Sequence, residues 1–160
     1  MKRFAISSAA ASAVIILGVL ASCGGSSATT TAPTIASSTA MPGTPVSVTG
    51  GGTYWSITPA QLYSFKVKDF FLADTDTAYI GEIPGTDVFL NSDTISQNLD
   101  KFPADKNYKI VVYCAAGMKS KVVAATLVQA GYTRVMELAG GIIAWQQQGY
   151  TVMQKTRTMT

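Results

Sequence analysis

The chain has no histidine and only two cysteines, Cys23 and Cys114. Without histidine there is no Cys-His or Ser-His catalytic pair, and the usual nitrogen ligands of zinc are missing, so no metal site is expected. Two cysteines cannot build a disulfide framework, and neither belongs to a Cys-x-x-Cys pair, which excludes thioredoxin-like redox chemistry. Charge is also scarce: 13% of the residues are Asp, Glu, Lys or Arg, with a net charge of +3. Two of the positive charges are Lys2 and Arg3, and the rest of the chain carries ten basic against nine acidic residues. No basic surplus remains to argue for a nucleic-acid partner. There is no internal repeat, and no second apolar run of membrane-spanning length follows the first.

That first run is informative. Lys2 and Arg3 precede apolar residues through Val14-Ile15-Ile16-Leu17-Gly18-Val19-Leu20, the pattern of an export signal over residues 1–22. Leu20-Ala21-Ser22-Cys23 resembles the bacterial lipobox: a branched apolar residue, two small residues, then cysteine. The resemblance implies cleavage before Cys23 and thioether lipidation of its sulfur; an ordinary signal peptide or an uncleaved anchor is the alternative. Several acyl chains on one residue hold a bilayer stably, where a single chain does not. Residues 24–53 contain no charged side chain and are rich in Thr, Ser, Ala, Pro and Gly, so residues 23–53 are expected to form a flexible tether. The expected location is therefore the bacterial cell envelope, with the domain lipid-anchored to a membrane. Gly24 stands where inner-membrane lipoproteins often carry Asp, which favours the periplasmic side of the outer membrane in a Gram-negative cell. Lipidation of Cys23 leaves Cys114 as a lone thiol; a Cys23–Cys114 disulfide is the competing arrangement.

Residues 54–160 are expected to fold. Tyr54-Trp55-Ser56-Ile57 alternates like a short edge strand. Thr58-Pro59-Ala60-Gln61 has the form of a capping box with Pro at the first helical position, and Leu62 and Phe65 follow on the expected core side. Phe70–Asp74 and Asp87–Leu90 read as strands. Asn91-Ser92-Asp93 reads as the cap of a helix carrying Ile95, Leu99 and Phe102 on one face. A further strand at Val135–Leu138 and a last helix from Gly140-Gly141 to Gly149 complete the pattern. Trp145 and Tyr132 read as packing residues, and Lys121 as a solvated one. Strands alternating with helices imply an α/β domain whose sheet is mostly parallel, here five-stranded, with helices on both faces.

Everything is organised around Lys109-Ile110-Val111-Val112-Tyr113-Cys114-Ala115-Ala116-Gly117-Met118-Lys119-Ser120. The β-branched run is a fully buried strand, and a helix follows with Val122, Val123, Leu127 and Ala130 on one face and Gly131 as its stop. Cys114 thus lies at the carboxyl end of a central strand, where open α/β sheets bind their ligands. Ala115, Ala116 and Gly117 carry almost no side chain, so their N–H groups can turn inward as a nest for an anion. The helix N-terminus adds a partial positive charge and Lys119 a mobile whole one. Each favours thiolate over thiol. A buried, inert cysteine is the bland alternative.

With these residues placed, Ile57 to Val152 resembles the rhodanese family. The resemblance rests on Val111 through Ser120, then Ala124-Ala125, Leu127, Gly131-Tyr132, Val135, Leu138, Gly140-Gly141 and Trp145. Asp74 matches the family's acid at the end of an earlier strand, and Gly81-Glu82-Ile83-Pro84-Gly85 its Gly-His-Ile-Pro-Gly turn. The resemblance implies sulfur transfer through a persulfide on Cys114, with Ala115, Ala116, Gly117, Met118, Lys119 and Ser120 as the anion-binding loop and no cofactor. The implied partners are a small sulfur donor such as thiosulfate and a thiophilic acceptor, either a small molecule or a protein thiol. Asp74, Asp76 and Glu82 are candidates for a supporting role. Asp76 replaces the family's usual Arg and Glu82 its His, which would weaken attraction of an anionic donor. Lys119 stands where Arg is common, keeping the charge without the bidentate fork. Cys114 through Lys119 is the sulfurtransferase loop length, one residue shorter than in related phosphatases, and Tyr113 and Ser120 replace the His and Arg of the phosphatase signature. A non-catalytic binding or sulfur-relay module is the competing reading.

Overall fold

The fold is seen in a computed structural model, which describes residues 41–154. The export signal, Cys23 and most of the expected tether lie outside the described residues. Among those described, no helix is long and apolar enough to cross a membrane.

The strands are β1 (Thr44–Ser47), β2 (Thr53–Ile57), β3 (Phe71–Asp74), β4 (Val88–Phe89), β5 (Ile110–Tyr113) and β6 (Val135–Leu138). The α-helices are α1 (Pro59–Tyr63), α2 (Met118–Gln129) and α3 (Gly141–Gln147). One sheet runs β1-β2-β6-β5-β3-β4, with β1 antiparallel to β2 and every other pair parallel. The sheet therefore has six strands, not five. The extra strand falls in the segment expected to be tether, so the folded part reaches back before residue 54. Thr44–Ser47 offers little apolar pattern because an edge strand is held through its backbone. Val46↔Tyr54 and Thr44↔Ser56 pair across the hairpin. Tyr54–Ile57 is consequently an inner strand.

β5 shows why a continuous apolar run belongs at the sheet centre. Successive side chains alternate between faces. Ile110 and Val112 join Ala73, Val135, Val123, Ala124 and Leu127 on the α2 side, together with Ile95 and Phe102. Val111 and Tyr113 join Leu72, Met136, Leu138, Leu62, Ile142 and Trp145 on the α1–α3 side. With both faces covered, every side chain of β5 is buried, and burying each Val or Ile stabilises the fold by roughly 1.5–3 kcal/mol. Trp145 packs with Tyr150 and donates to the Thr151 carbonyl at 2.8 Å; Tyr132 packs on Phe102 and donates to the Pro103 carbonyl at 3.0 Å.

The helix starts follow the local chemistry. The Gln61 amide donates to Thr58 Oγ1 at 3.2 Å while the Thr58 amide donates to Gln61 Oε1 at 2.8 Å, the reciprocal cap its sequence announces. α2 ends in a Schellman motif: Tyr132 N–H reaches the Leu127 carbonyl and Gly131 N–H that of Val128, with Gly131 at φ +91°. Its buried stripe is Val123, Ala124, Leu127 and Val128; Val122 is 63% exposed, so the core face lies one residue further round than expected. The helix expected after Asn91 is instead two short 3-10 helices, Ser92–Gln97 and Leu99–Lys101. Asn98 is the reason. Its side-chain amide takes the Thr94 carbonyl at 2.9 Å, the acceptor its own backbone N–H would use in an α-helix, and that N–H bonds Ile95 instead. Ile95 and Phe102 still reach the core.

Candidate active site

The residue before the cysteine is held from two directions. The Tyr113 carbonyl accepts from both the amide (2.7 Å) and the hydroxyl (2.8 Å) of Thr75. Its phenol contacts Thr86 Oγ1 at 2.8 Å and accepts from the Ile83 amide at 3.2 Å. Burial, reinforced by the nearby Asp74 carboxylate, pushes the phenol far above its ordinary range, so it stays a neutral anchor.

From this fixed point the chain turns around the sulfur. Gly117 adopts φ +83°, which points its amide at Cys114 Sγ at 3.2 Å; the Ser120 amide, in the first turn of α2, lies at 3.5 Å. A side chain at 117 would strike the Gly140 amide and Glu137. The loop is gripped from behind by α3. Ile142 N–H donates to the Cys114 carbonyl at 2.9 Å and Ile143 N–H to that of Ala115 at 3.0 Å. These two bonds tie the backbone of Cys114 and Ala115 to the first turn of α3. Gly141 is required for this approach, since a Cβ there would sit 2.1 Å from the Cys114 oxygen.

Cys114 is 2% exposed, yet it helps line a cleft of about 110 Å³ together with Asp76, Ala115, Ala116, Met118 and Lys119. The residue thus borders open space, and the amides of Gly117 and Ser120 face its sulfur. Ser120 Oγ stands 3.7 Å from Sγ.

Two expectations about this loop need correcting. Lys119 is not a mobile charge: its Nζ is bound to Asp76 Oδ1 at 2.8 Å and to Thr77 Oγ1. The Ala115 amide does not join the nest around sulfur; it donates to Asp76 Oδ2 at 2.8 Å. Burial opposes ionisation of Asp76, but Lys119 and the amides of Thr77 and Ala115 outweigh it and hold the carboxyl below the usual carboxylate range. The same contact raises the Lys119 ammonium above its ordinary value.

The other two candidate acids separate. Asp74 Oδ1 accepts the Asp76 amide at 3.1 Å, so it fixes the turn that presents Asp76 without itself lining the cleft. Glu82 is placed elsewhere. Its backbone exchanges two 2.8 Å hydrogen bonds with Met153, and its side chain is buried. It is not among the residues that line the cleft beside Cys114.

One residue escaped the sequence reading. Glu137, on β6, is wholly buried beneath the loop, where Ser56 Oγ donates to it at 2.9 Å and Ser120 Oγ lies 3.4 Å away. Burial pushes its carboxyl upward, against the pull of Ser56, Lys121 and Ser120. The signal available was an acid inside the apolar strand Val135-Met136-Glu137-Leu138. Among the described residues, no group of three or more His, Cys, Asp or Glu side chains is placed to hold a metal ion.

Residues 73–148 match the model of the rhodanese-like domain. The chain is 30% identical over 77 residues to a thiosulfate sulfurtransferase of Pseudoalteromonas translucida, a stretch that takes in 47% of this chain and 69% of that protein. The chain belongs to the rhodanese-like family. A sulfurtransferase of Allochromatium vinosum is 40% identical over 55 residues, 34% of this chain; the match spans half the length of that relative. The crystal structure of a rhodanese-related protein from Thermoplasma volcanium superimposes with a TM-score of 0.56 at 26% identity, covering 64% of this chain and 100% of that one. The rhodanese-like fold expected from the sequence is thus present, with six strands, and both of these curated relatives are named sulfurtransferases. In this rhodanese-like domain the Gly140-Gly141 pair serves the cysteine loop directly, through the close approach of α3.

Proposed function

We propose that this rhodanese-like domain moves sulfane sulfur from a donor to a thiophilic acceptor through a persulfide on Cys114. The observation that carries the reading is the convergence of the Gly117 and Ser120 amides on Sγ, at 3.2 and 3.5 Å. Oriented N–H dipoles stabilise a sulfur anion without reorganising during the reaction. In the first half-reaction the Cys114 thiolate attacks the outer sulfur of the donor, the donor's S–S bond breaks, and the remainder leaves with the electron pair; from thiosulfate that remainder is sulfite. In the second, the acceptor attacks the outer persulfide sulfur and returns the thiolate. Two displacements at sulfur need no proton relay, which suits a chain without histidine. The lipobox-like segment around Cys23 supports action at the envelope, on a donor and an acceptor thiol that reach a membrane-anchored domain.

Intact-mass spectrometry of the purified chain, under anaerobic conditions, tests the reading. Incubation with thiosulfate, or with a small organic persulfide, should add one sulfur atom to the wild type and none to Cys114→Ser, and cyanide should remove it. No adduct from either donor leaves the domain as a non-catalytic binding module.

A further inference from the structure

The cysteine loop already holds an anion of its own. An oxyanion donor such as thiosulfate has to place its sulfonate oxygens on N–H groups and a cation beside the cysteine. Here the Ala115 amide and the Lys119 ammonium, which line the cleft, are both taken by the Asp76 carboxylate at 2.8 Å. That carboxylate also accepts the Thr77 amide at 2.7 Å, and Asp74 locks the turn beneath it through the Asp76 amide. Asp76 is buried, so it is not a side chain that swings away when a ligand arrives. Asp93 adds a second negative charge near Lys119. A dianion entering this cleft meets a neutralised lysine, a fixed carboxylate and the attacking thiolate itself. The rest of the wall is Ala115, Ala116 and the exposed side chain of Met118, which offers apolar surface to an organic group. The Gly117 and Ser120 amides stay clear of Asp76, but they address the sulfur rather than the cleft.

We infer that the donor is a thiol-borne persulfide, R–S–SH, carrying no charge where R meets the loop, and that Asp76 is the residue that discriminates against oxyanion donors. The inference rests on the persulfide reading above and names its substrate class. The step balances: the Cys114 thiolate attacks the terminal sulfur of R–S–SH, a new S–S bond forms at Sγ, the donor's S–S bond breaks, and R–S⁻ leaves with the electron pair and takes a proton from water. Sulfane sulfur passes between two thiols of the same oxidation level, so no outside oxidant or reductant enters.

Single-turnover loading of the full chain, followed anaerobically by intact mass, tests this with two probes: thiosulfate and the persulfide of 2-mercaptoethanol. Asp76→Asn removes the negative charge, keeps an acceptor for the Ala115 amide and releases Lys119. The ratio of thiosulfate to persulfide loading rates should rise at least about tenfold in that variant, as expected for removing one unit charge within contact distance of a dianion. A ratio is insensitive to general damage at Cys114, because both donors report through the same sulfur. In the wild type, which needs no variant to fold, raising the salt from about 10 mM to about 0.5 M should speed loading by thiosulfate more than loading by the persulfide, since screening relieves the dianion most. An unchanged ratio in Asp76→Asn, or thiosulfate loading that slows with salt, overturns the assignment. Loading by neither donor overturns sulfur transfer itself, a result distinct from loading by both without discrimination.

Discussion

Replacing Glu137 by Gln should make the protein more stable at neutral pH and remove part of its pH dependence. The acid is wholly buried beneath the cysteine loop, with the hydroxyls of Ser56 and Ser120 as its near neighbours. Burial disfavours the carboxylate; Ser56, Lys121 and Ser120 pull the other way and do not prevail. Its folded pKa is therefore raised above that of the unfolded chain, and the folded protein binds this proton more tightly. The contribution of Glu137 to stability is then fully present below the unfolded value, about 4.3, and is lost as the pH rises through the folded value. A tenfold change in the proton's affinity corresponds to about 1.4 kcal/mol. Gln keeps the shape, accepts from Ser56 Oγ, offers an N–H to Ser120 Oγ and never ionises. At about pH 8 the variant should be more stable than the wild type by on the order of 1–3 kcal/mol, the desolvation penalty of a buried charged group held by neutral partners. At about pH 4.5 the gap should nearly close. Urea denaturation at several pH values, monitored by the two tryptophans, measures both quantities. Glu137→Ala separates charge from packing, since it should destabilise at every pH by leaving a cavity and depriving the Ser56 hydroxyl of its acceptor. A constant offset between the Glu137→Gln variant and wild type across the pH range would refute the reasoning.

Other substitutions address the loop and its supports. Gly141→Ala should destabilise the domain by more than about 2 kcal/mol and slow alkylation of Cys114, because the new Cβ meets backbone oxygens that cannot swing away. Gly131→Ala, at a similar backbone angle but with nothing within 4 Å, should cost only about 1 kcal/mol; thermal melts of both variants make the comparison. Asp76 has a depressed pKa, so its stabilising contribution is present above the unfolded carboxylate range and is lost as the pH falls through the folded value. A double-mutant cycle with Asp76→Asn and Lys119→Met should accordingly give a coupling at neutral pH that vanishes in strong acid. The Lys119 side chain is 41% exposed, so solvent screening should keep that coupling small and make it fall further with added salt.

What the sequence made legible was local or strongly periodic. Thr58-Pro59-Ala60-Gln61 declares its cap because all the participants lie within one turn. The β5 run declares burial because every residue of it is apolar, and Cys114 declares a site because it interrupts that run at a strand end. The misses share another cause: each depends on what a residue meets across the fold. β1 is held by backbone pairing that leaves no side-chain pattern. The Asn98 side chain diverts a carbonyl and turns a helix-like stretch into 3-10 helices. Asp76 and Glu82 looked equivalent as acids in place of basic or neutral groups, yet the turn fixed by Asp74 puts Asp76 on the Ala115 amide, while Glu82 pairs through its backbone with Met153. Lys119 counted as a free positive charge until its partner, forty-three positions earlier, was placed beside it. Glu137 looked like an ordinary strand residue because its neighbours Ser56 and Ser120 come from distant parts of the chain.

The grip of Ile142 and Ile143 on the backbone of Cys114 and Ala115 sets an order of events. A ribosome that has released Cys114 but not yet the final helix has made a thiol with no cradle around it. Until the later segment docks, nothing holds those carbonyls outward, and the sulfur behaves as it would in any unfolded peptide. The finished geometry of the loop arrives with maturation, so a stalled or clipped chain presents Cys114 without the grip of the last helix.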